Sequence, residues 1–263
     1  MGAVIPIDDG TLAYEAAGAG PPVVFIAGLG GHGSYWMAQV QALSPDFRTV
    51  TFDHRGVGAS VGAPPYRVEQ WAGDTLRLLD HLKIGRVHLV GHSTGGAIAQ
   101  VVAATHPDRV ASLVLGGTWA RPDARFRRLF EFRARVLREI GPGAYEDLGL
   151  TLTLPAGLPP EPPALQAARS TPPDVVLARI DALLAHDAGD RLRQIRAPTL
   201  VVAADDDVLV PRQLSEVIAG EIKGSRLHAF ARGVHRFPQT QTAAYNELLR
   251  AFFHEHAKGD HRD

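Results

Sequence analysis

Short apolar runs alternate with amphipathic stretches along most of the chain. The runs that predict buried strands lie at 23–27, 48–52, 87–90, 110–115, 199–203 and 225–230. Between and after these runs, helices are predicted from the apolar and small-residue patterns over 66–82, 97–104 and 240–256. Continuous apolar runs are typical of strands that are covered on both faces. Joined by crossover helices, they predict an α/β fold with a mostly parallel, twisted sheet flanked by helices.

The alternation of strands and helices stops between residues 118 and 196. This segment contains two proline-rich stretches, 155–163 and 171–173. We interpret it as an insertion that covers one end of the sheet. The predicted organisation is a core domain formed by 1–117 and 197–257, a helical cap or lid over 118–196, and a polar tail at 258–263.

Within the predicted lid, residues 125–140 form an arginine-rich amphipathic helix pattern. Such a helix invites a membrane or partner interpretation, but the interspersed Glu131 and Glu139 favour a solvated face. Whether the apolar residues of the lid face a pocket or pack on the core stays open at this point. The residues concerned are Phe126, Leu129, Phe130, Leu150, Leu152, Leu154 and Leu158.

The composition excludes several classes of protein. The 27 basic residues nearly balance the 28 acidic ones, whereas a dedicated binder of nucleic acid or of anionic membranes needs a basic excess. The absence of cysteine rules out a disulfide framework, thiolate metal ligands and a cysteine nucleophile. No apolar run approaches the roughly 18–20 residues of a membrane span, and the N-terminus lacks the pattern of a signal peptide. We therefore expect a cytoplasmic protein with a small-molecule substrate; its oligomeric state is not predicted.

The segment Gly91–Gly96 carries the most informative motif. It reads G-H-S-T-G-G and places Ser93 in a G-x-S-x-G pattern directly between a predicted strand and a predicted helix. A nucleophile on such a sharp turn needs small neighbours, which Gly91 and Gly95 provide. The turn exposes the serine hydroxyl at a helix N-terminus, where backbone N–H groups favour developing negative charge. The pattern predicts that Ser93 is a catalytic nucleophile.

A serine hydroxyl needs a base that removes its proton and an acid that orients the base. Three carboxylates, Asp205–Asp207, follow the predicted strand at 199–203, and His235 follows the last predicted strand. Both positions lie at the sheet edge that carries Ser93, and the order serine, acid, histidine suits this architecture. The aspartate run also suggests a metal site. Consecutive carboxylates point in different directions and no ligand cluster accompanies them, so we expect no metal and no other cofactor.

These residues make the sequence resemble the α/β-hydrolase superfamily over nearly its whole length. A further motif, Asp53–Ser60, reads D-H-R-G-V-G-A-S and is similar to the family's D-x-R-G-x-G-x-S turn. Family members place the catalytic acid four residues before a proline, so the resemblance selects Asp207, four residues before Pro211. The sequence departs from the family at Val234, where relatives commonly have glycine before the histidine.

The resemblance also implies an oxyanion hole and a substrate pocket. The oxyanion donors would be the backbone N–H groups of Thr94 and of Leu29, which follows the first long strand. Relatives usually read H-G-x in that loop, whereas this chain reads Ala27-Gly28-Leu29. Alanine in place of the family's histidine removes a side chain but no backbone N–H donor, so we expect the oxyanion hole to be retained. Trp119 and His32 are candidate pocket residues.

The main hypothesis is a serine hydrolase that cleaves a small carboxylic ester or lactone through an acyl-enzyme. Subfamily patterns support an alternative. Residues Gly28–Gly31 with Ser34–Trp36 are similar to aminoacrylate hydrolases of pyrimidine degradation and to enol-lactonases, and Gly117–Trp119 adds to the first similarity. The alternatives are hydrolysis of a small amide, enamine or carbamate, cleavage of a C–C bond, and, outside catalysis, a ligand receptor on a hydrolase scaffold.

Overall fold

The computed structural model describes residues 2–157 and 171–257. Its sheet has nine strands: β1 (Ala3–Ile7), β2 (Gly10–Ala17), β3 (Pro22–Ile26), β4 (Arg48–Phe52), β5 (Val61–Gly62), β6 (Val87–His92), β7 (Val110–Gly116), β8 (Thr199–Ala204) and β9 (Arg226–Phe230). The helices are α1 (Met37–Leu43), α2 (Val68–His81), α3 (Thr94–Thr105), α4 (Ala124–Glu139), α5 (Pro142–Thr153), α6 (Pro173–Ala185), α7 (Arg212–Glu221), α8 (Phe237–Thr240) and α9 (Thr242–Ala257).

The strands pair in the order β1-β2-β4-β3-β6-β7-β8-β9, and β5 pairs with β2. All pairs from β4 across to β9 are parallel, and only the pairs that involve β2 are antiparallel. The predicted mostly parallel α/β sheet is therefore confirmed. Because β3, β6, β8 and β9 run parallel, the loops that follow them emerge at one edge of the sheet, and this edge carries the candidate site.

Each of the six predicted strands corresponds to a strand of the sheet, whereas the N-terminal hairpin of β1 and β2 was not predicted. Three of the five β1 residues are exposed, and buried residues are a minority in β2 as well. A half-exposed antiparallel strand lacks the continuous apolar run that marks the central strands. All six residues of β6, by contrast, are buried.

Helices cover both faces of the sheet. Alternate residues of β3 enter different hydrophobic clusters, because successive side chains of a strand point to opposite faces. Val24 and Ile26 belong to a cluster that includes residues of α2, α3 and α6. Val23 and Phe25 belong to a second cluster that includes residues of α9. None of the helices in the two described ranges is long and apolar enough to cross a membrane.

The predicted lid segment contributes three described helices, α4, α5 and α6, between β7 and β8. Helix α4 packs against both α5 and α6. Most of the proline-rich stretch at 155–163, including Leu158, and the tail at 258–263 lie outside the described residues. The division of the chain into a core and a separate lid stays a prediction.

Candidate active site

Ser93 occupies a strained turn between β6 and α3. Its backbone has φ 56° and ψ −121°, in a region that side chains with a Cβ rarely adopt. Glycines make the tight turn possible. A Cβ atom at Gly95 would lie 2.1 Å from the carbonyl oxygen of Ile26, and one at Gly91 would lie 2.2 Å from that of Gly95. The small residues of the motif are therefore required by backbone packing around the candidate nucleophile.

The end of β7 and the first turn of α3 hold the turn in place. The N–H of Ser93 donates to the carbonyl of Gly116, 2.8 Å away. The carbonyl of Ser93 accepts a hydrogen bond from Thr118 Oγ1 at 2.8 Å and another from the N–H of Gly96 at 2.9 Å. Both backbone polar groups of the strained residue are thus hydrogen-bonded, and strain of this kind persists where the surrounding structure fixes the residue.

His235 and Asp207 form a buried pair. His235 Nδ1 lies 2.7 Å from Asp207 Oδ2, and the two residues are 5% and 4% exposed. Asp207 Oδ1 accepts hydrogen bonds from the N–H groups of Leu209 and Val210 at 2.9 and 2.8 Å. An ionised carboxylate only accepts, so the proton of the neutral imidazole lies on Nδ1 and Nε2 is left as the basic nitrogen.

The three consecutive aspartates make three different contacts. Asp207 bonds to His235, whereas Asp205 forms a surface ion pair with Arg212 at 2.9 Å. Asp206 accepts hydrogen bonds from the backbone N–H groups of Gly233 and Val234 at 3.2 and 2.7 Å. Among the described residues, no group of histidine and carboxylate side chains could hold a metal ion.

The contact of Asp206 explains how valine is accommodated before the candidate base. Val234 has φ 49°, a left-handed conformation that is unfavourable for a β-branched residue. This geometry gives a physical reason for glycine at this position in relatives. The Asp206 carboxylate holds the Val234 N–H and so helps to fix the loop that presents His235.

The loop after β3 packs directly against the candidate nucleophile. A Cβ at Gly28 would lie 3.2 Å from Ser93 Cβ and 3.7 Å from Ser93 Oγ, so a side chain here would crowd the candidate nucleophile. The next residue, Leu29, lines the same cavity as Ser93. Thr94 is the first residue of α3 and is fully buried. The first N–H groups of a helix have no partner within the helix, so both predicted oxyanion donors lie beside Ser93.

A cavity of about 310 Å³ opens at this edge. Its walls come from the loops after β3, β6, β8 and β9, and from helices α4 and α5. The residues that line it are Ala27, Gly28, Leu29, Gly30, Gly31, His32, Tyr35, His92, Ser93, Phe130, Arg133, Glu146, Gly149, Leu150, Thr153, Leu209, His235 and Arg236. The cavity therefore brings Ser93 and His235 together with residues of the predicted lid.

The two candidate pocket residues differ in their placement. His32 lines the cavity, whereas Trp119 does not. Trp119 is fully buried in the core and packs on Phe126, with ring centroids 4.5 Å apart. The structure thus places Trp119 outside the pocket, because β7 delivers it beneath α4.

Several cavity residues were not singled out from the sequence. Phe130 and Leu150, which were named among the apolar residues of the predicted lid, do line the cavity. The charged residues of the lining were not named. Arg236 directly follows the candidate base, and this adjacency is a signal that could have found it. Arg133 and Glu146 carried no such signal, because their direction depends on how α4 and α5 pack.

Two buried histidines near the site are held in the neutral form. Burial, with a smaller contribution from His235, lowers the pKa of His92 well below its usual range. His92 lines the cavity and stacks on Tyr35, with ring centroids 5.4 Å apart. Burial and the neighbouring Arg179 guanidinium likewise hold the pKa of His54 well below its usual range. Neither ring adds positive charge near the site at neutral pH.

The D-x-R-G turn is structural. Asp53 accepts hydrogen bonds from the backbone N–H groups of Gly33 and Ala59. Arg55 forms a buried bidentate pair with Asp74, with Nε–Oδ2 and Nη2–Oδ1 distances of 2.7 and 2.5 Å. These contacts tie the turn to the loop that follows β3 and to α2.

Sequence comparisons agree with this geometry. The family profile described as alpha/beta hydrolase fold matches residues 21–155. A Caulobacter vibrioides protein, named as a candidate carbamate hydrolase, RutD, is 39% identical over 255 residues, which cover 92% of this chain and 94% of that protein. The chain belongs to the α/β-hydrolase family.

Solved structures similar to this α/β hydrolase include enzymes of two named activities. The enol-lactonase from Burkholderia xenovorans matches with a TM-score of 0.87 at 29% identity, covering 95% of this chain and 99% of that one. A thermophilic esterase from Thermogutta terrifontis matches with a TM-score of 0.83 at 29% identity, covering 94% of each chain. The resemblance to α/β hydrolases, including the aminoacrylate-hydrolase and enol-lactonase patterns, is confirmed.

Proposed function

We propose that this α/β hydrolase is a cofactor-free serine hydrolase that cleaves a small carbamate, with Ser93, His235 and Asp207 as its catalytic triad. The observation that carries the proposal is the 2.7 Å contact between His235 Nδ1 and Asp207 Oδ2, beside the cavity that Ser93 lines. The choice of a carbamate, which was the alternative from the sequence, is supported by relatives named as carbamate hydrolases at 39% and 36% identity.

In the proposed reaction, Ser93 Oγ attacks the carbonyl carbon of the carbamate while His235 Nε2 accepts the hydroxyl proton. The tetrahedral intermediate collapses, and the leaving amine or alcohol takes that proton from His235. Water then attacks the carbonyl of the acyl-enzyme, again giving its proton to His235, which returns it to Ser93 Oγ as the product leaves. Asp207 stabilises the imidazolium form of His235 in both steps and does not itself become protonated.

Negative charge develops on the carbonyl oxygen in both tetrahedral intermediates. The N–H groups of Leu29 and Thr94 are the proposed donors to this oxygen. Each such donor is worth on the order of 10²–10³ in kcat where it has been removed from a serine hydrolase. The positive end of the α3 dipole lies at Thr94 and adds to this stabilisation.

Hydrolysis of a small ester or lactone is the second candidate. It is favoured by the similarity of the fold to the enol-lactonase from Burkholderia xenovorans. The same triad can attack either carbonyl, so the substrate class depends on the cavity and its lid helices. In this proposal the helices of 118–196 form the lid of a small-molecule site. A receptor that only binds its ligand would retain the geometry but show negligible turnover.

The test compares p-nitrophenyl N-methylcarbamate with p-nitrophenyl acetate, which has a similar size. We expect the wild-type protein to have the higher kcat/KM for the carbamate relative to the uncatalysed rate, and S93A to release p-nitrophenol from either at background rate. A preference for the acetate would assign the protein as an ester hydrolase and not as a carbamate hydrolase. Turnover by S93A at the wild-type rate would refute the serine mechanism, and labelling of Ser93 by a fluorophosphonate without turnover of either compound would favour the receptor.

A further inference from the structure

The part of the cavity wall that α4 forms contains a buried guanidinium. Arg133 lies on α4, is 7% exposed and lines the same cavity as Ser93 and His235. Arginine is almost never fully buried without a partner, because removing an unpaired charge from water is costly. What Arg133 contacts therefore indicates what it is there to bind.

The contacts of Arg133 with the protein are aromatic. Its guanidinium carbon lies 5.1 Å from the ring centroid of Phe130 and 4.8 Å from that of Tyr145. Nε has no hydrogen-bond partner, although it is inaccessible to solvent. Among the described residues, no carboxylate forms an ion pair with this guanidinium. Stacking leaves the donors at the edge of the guanidinium plane available to a ligand.

Two other buried arginines have acceptors within the protein. Arg55 is 2% exposed and forms its bidentate pair with Asp74. Arg179 is 1% exposed and donates to the carbonyl of Leu29 and to His54 Nδ1, both at 2.8 Å. Arg133 differs from both, because it lines the cavity and its Nε has no protein acceptor.

The charges around the cavity also favour an anion. Its described lining contains two arginines, Arg133 and Arg236, and one carboxylate, Glu146. His92 adds no charge, since its pKa is held well below the usual range. Low-dielectric walls such as Phe130 and Leu150 strengthen the field of the guanidinium on a bound ligand.

We propose that Arg133 is a specificity-determining residue that binds a carboxylate of the substrate, and that the substrate is a small carboxylate-bearing acyl compound. This inference rests on the proposed hydrolase function and narrows its substrate class. A carboxylate matches the planar edge of a guanidinium and can accept two parallel hydrogen bonds from it. A cavity of about 310 Å³ has room for such a small substrate.

Two p-nitrophenyl esters of the same size test the proposal by turnover. The anionic probe is mono-p-nitrophenyl fumarate, whose trans double bond keeps the carboxylate from attacking its own ester, and its neutral counterpart is p-nitrophenyl fumaramate. We expect the wild-type protein to have the higher kcat/KM for the anion. R133M should lower kcat/KM for the anion roughly 10- to 100-fold, mainly through KM, and change that for the neutral ester less than about 3-fold. R133K keeps the positive charge but loses the paired N–H donors of the guanidinium, so its kcat/KM for the anion should lie between those of the wild type and R133M.

Matched variants separate this role from a structural one. R138M changes an exposed arginine of the same helix and should leave the preference for the anion unchanged. E146Q removes the carboxylate from the cavity lining and should increase the preference. Equal losses for both esters in R133M would assign Arg133 to folding or lid packing and overturn the proposal. So would a wild-type protein that does not prefer the anion.

A binding measurement keeps the proposal testable if the hydrolase assignment fails. Succinate and succinamide are titrated calorimetrically into S93A, into the double variant S93A/R133M and into S93A/R133K. The proposal predicts that S93A binds succinate more tightly than succinamide, that S93A/R133M loses this difference and that S93A/R133K partly restores it. This result would support carboxylate binding by Arg133 even without turnover. Equal or undetectable binding of the two compounds to S93A would overturn it, whatever the activity of the wild-type protein.

Discussion

Arg179 Nε donates to the carbonyl oxygen of Leu29 across 2.8 Å, linking helix α6 to the loop that carries the proposed oxyanion donor. Arg179 Nη2 also lies 2.8 Å from His54 Nδ1, and the guanidinium stacks over Trp71 at 4.6 Å. Burial lowers the pKa of Arg179 to about 10, so the side chain is still charged at neutral pH. The carbonyl of Leu29, on the peptide group that follows the proposed N–H donor, is therefore held by helix α6.

We expect R179M to impair catalysis more than binding. The substitution frees the Leu29 carbonyl, and with it the neighbouring N–H that is the proposed oxyanion donor, but it does not touch the reacting atoms. The expected effect is a fall in kcat of roughly 10- to 100-fold with a smaller change in KM. Steady-state kinetics on a p-nitrophenyl substrate measure both. The control is R191M, which removes an exposed arginine that pairs with Glu69. An unchanged kcat in R179M would show that the Leu29 carbonyl contact does not position the oxyanion hole.

Removing the hydroxyl of Ser93 should separate catalysis from backbone strain. Both S93A and S93G should lose turnover to background, but only glycine adopts the φ of 56° without a Cβ clash. We therefore expect S93G to be more stable than S93A by about 1 kcal/mol, after the larger entropy of glycine in the unfolded chain is subtracted. Urea unfolding measures the difference. A clearly less stable S93G would mean that the turn is not strained.

The three aspartates should differ sharply in their effect on rate. D207N should lower kcat by about 10³- to 10⁴-fold, because an amide can donate to His235 Nδ1 and favour the wrong tautomer. D205N, which alters only the surface pair with Arg212, should retain activity within about 2-fold of wild type. If instead D205N lost activity and D207N retained it, the acid of the triad would be misassigned.

Buried neutral histidines should make the protein less stable in acid. Burial lowers the pKa of His186 to about 4, against about 6.5 in the unfolded chain. Glu69 and Asp187 oppose this shift, whereas Arg191 adds to it. The folded state binds this proton less readily than the unfolded state. The stability that neutral His186 contributes is therefore fully present above about pH 6.5 and is lost as the pH falls toward 4.

The variant H186F keeps a ring beside Trp119 but cannot be protonated. Between about pH 8 and pH 5, wild type should lose about 2 kcal/mol more stability than H186F in urea unfolding. H106F, at an exposed histidine, should retain the wild-type pH dependence. Parallel pH profiles for wild type and H186F would show that His186 does not titrate between the two states.

Chain order carried most of the information about the fold and the candidate triad. The apolar runs of β3, β6, β7 and β8 are continuous because both faces are covered, so the central sheet could be predicted. Ser93 and Asp207 follow two of these strands, β6 and β8, and His235 follows the partly exposed edge strand β9. The structure places Asp207 and His235 in contact, and it gives the two neighbouring aspartates other partners.

Residues whose direction depends on helix packing could not be predicted in the same way. Trp119 directly follows a core strand, yet it packs under α4 and not in the cavity. Arg133 is buried on a helix whose sequence pattern favours a solvated face, and Arg179 is buried on the mostly apolar helix α6. Their environment is set by contacts with residues distant along the chain, such as Leu29, and local periodicity does not encode these contacts.

Ser93 is proposed to attack a small carbamate and to form a covalent intermediate. Rapid-quench mass spectrometry during turnover of p-nitrophenyl N-methylcarbamate is the most direct test of this step. We expect the first turnover to add one methylcarbamoyl group to the protein, located on Ser93 by peptide mapping. S93A should show neither this adduct nor turnover above background. Full turnover by S93A, or an adduct on any other residue, would contradict it.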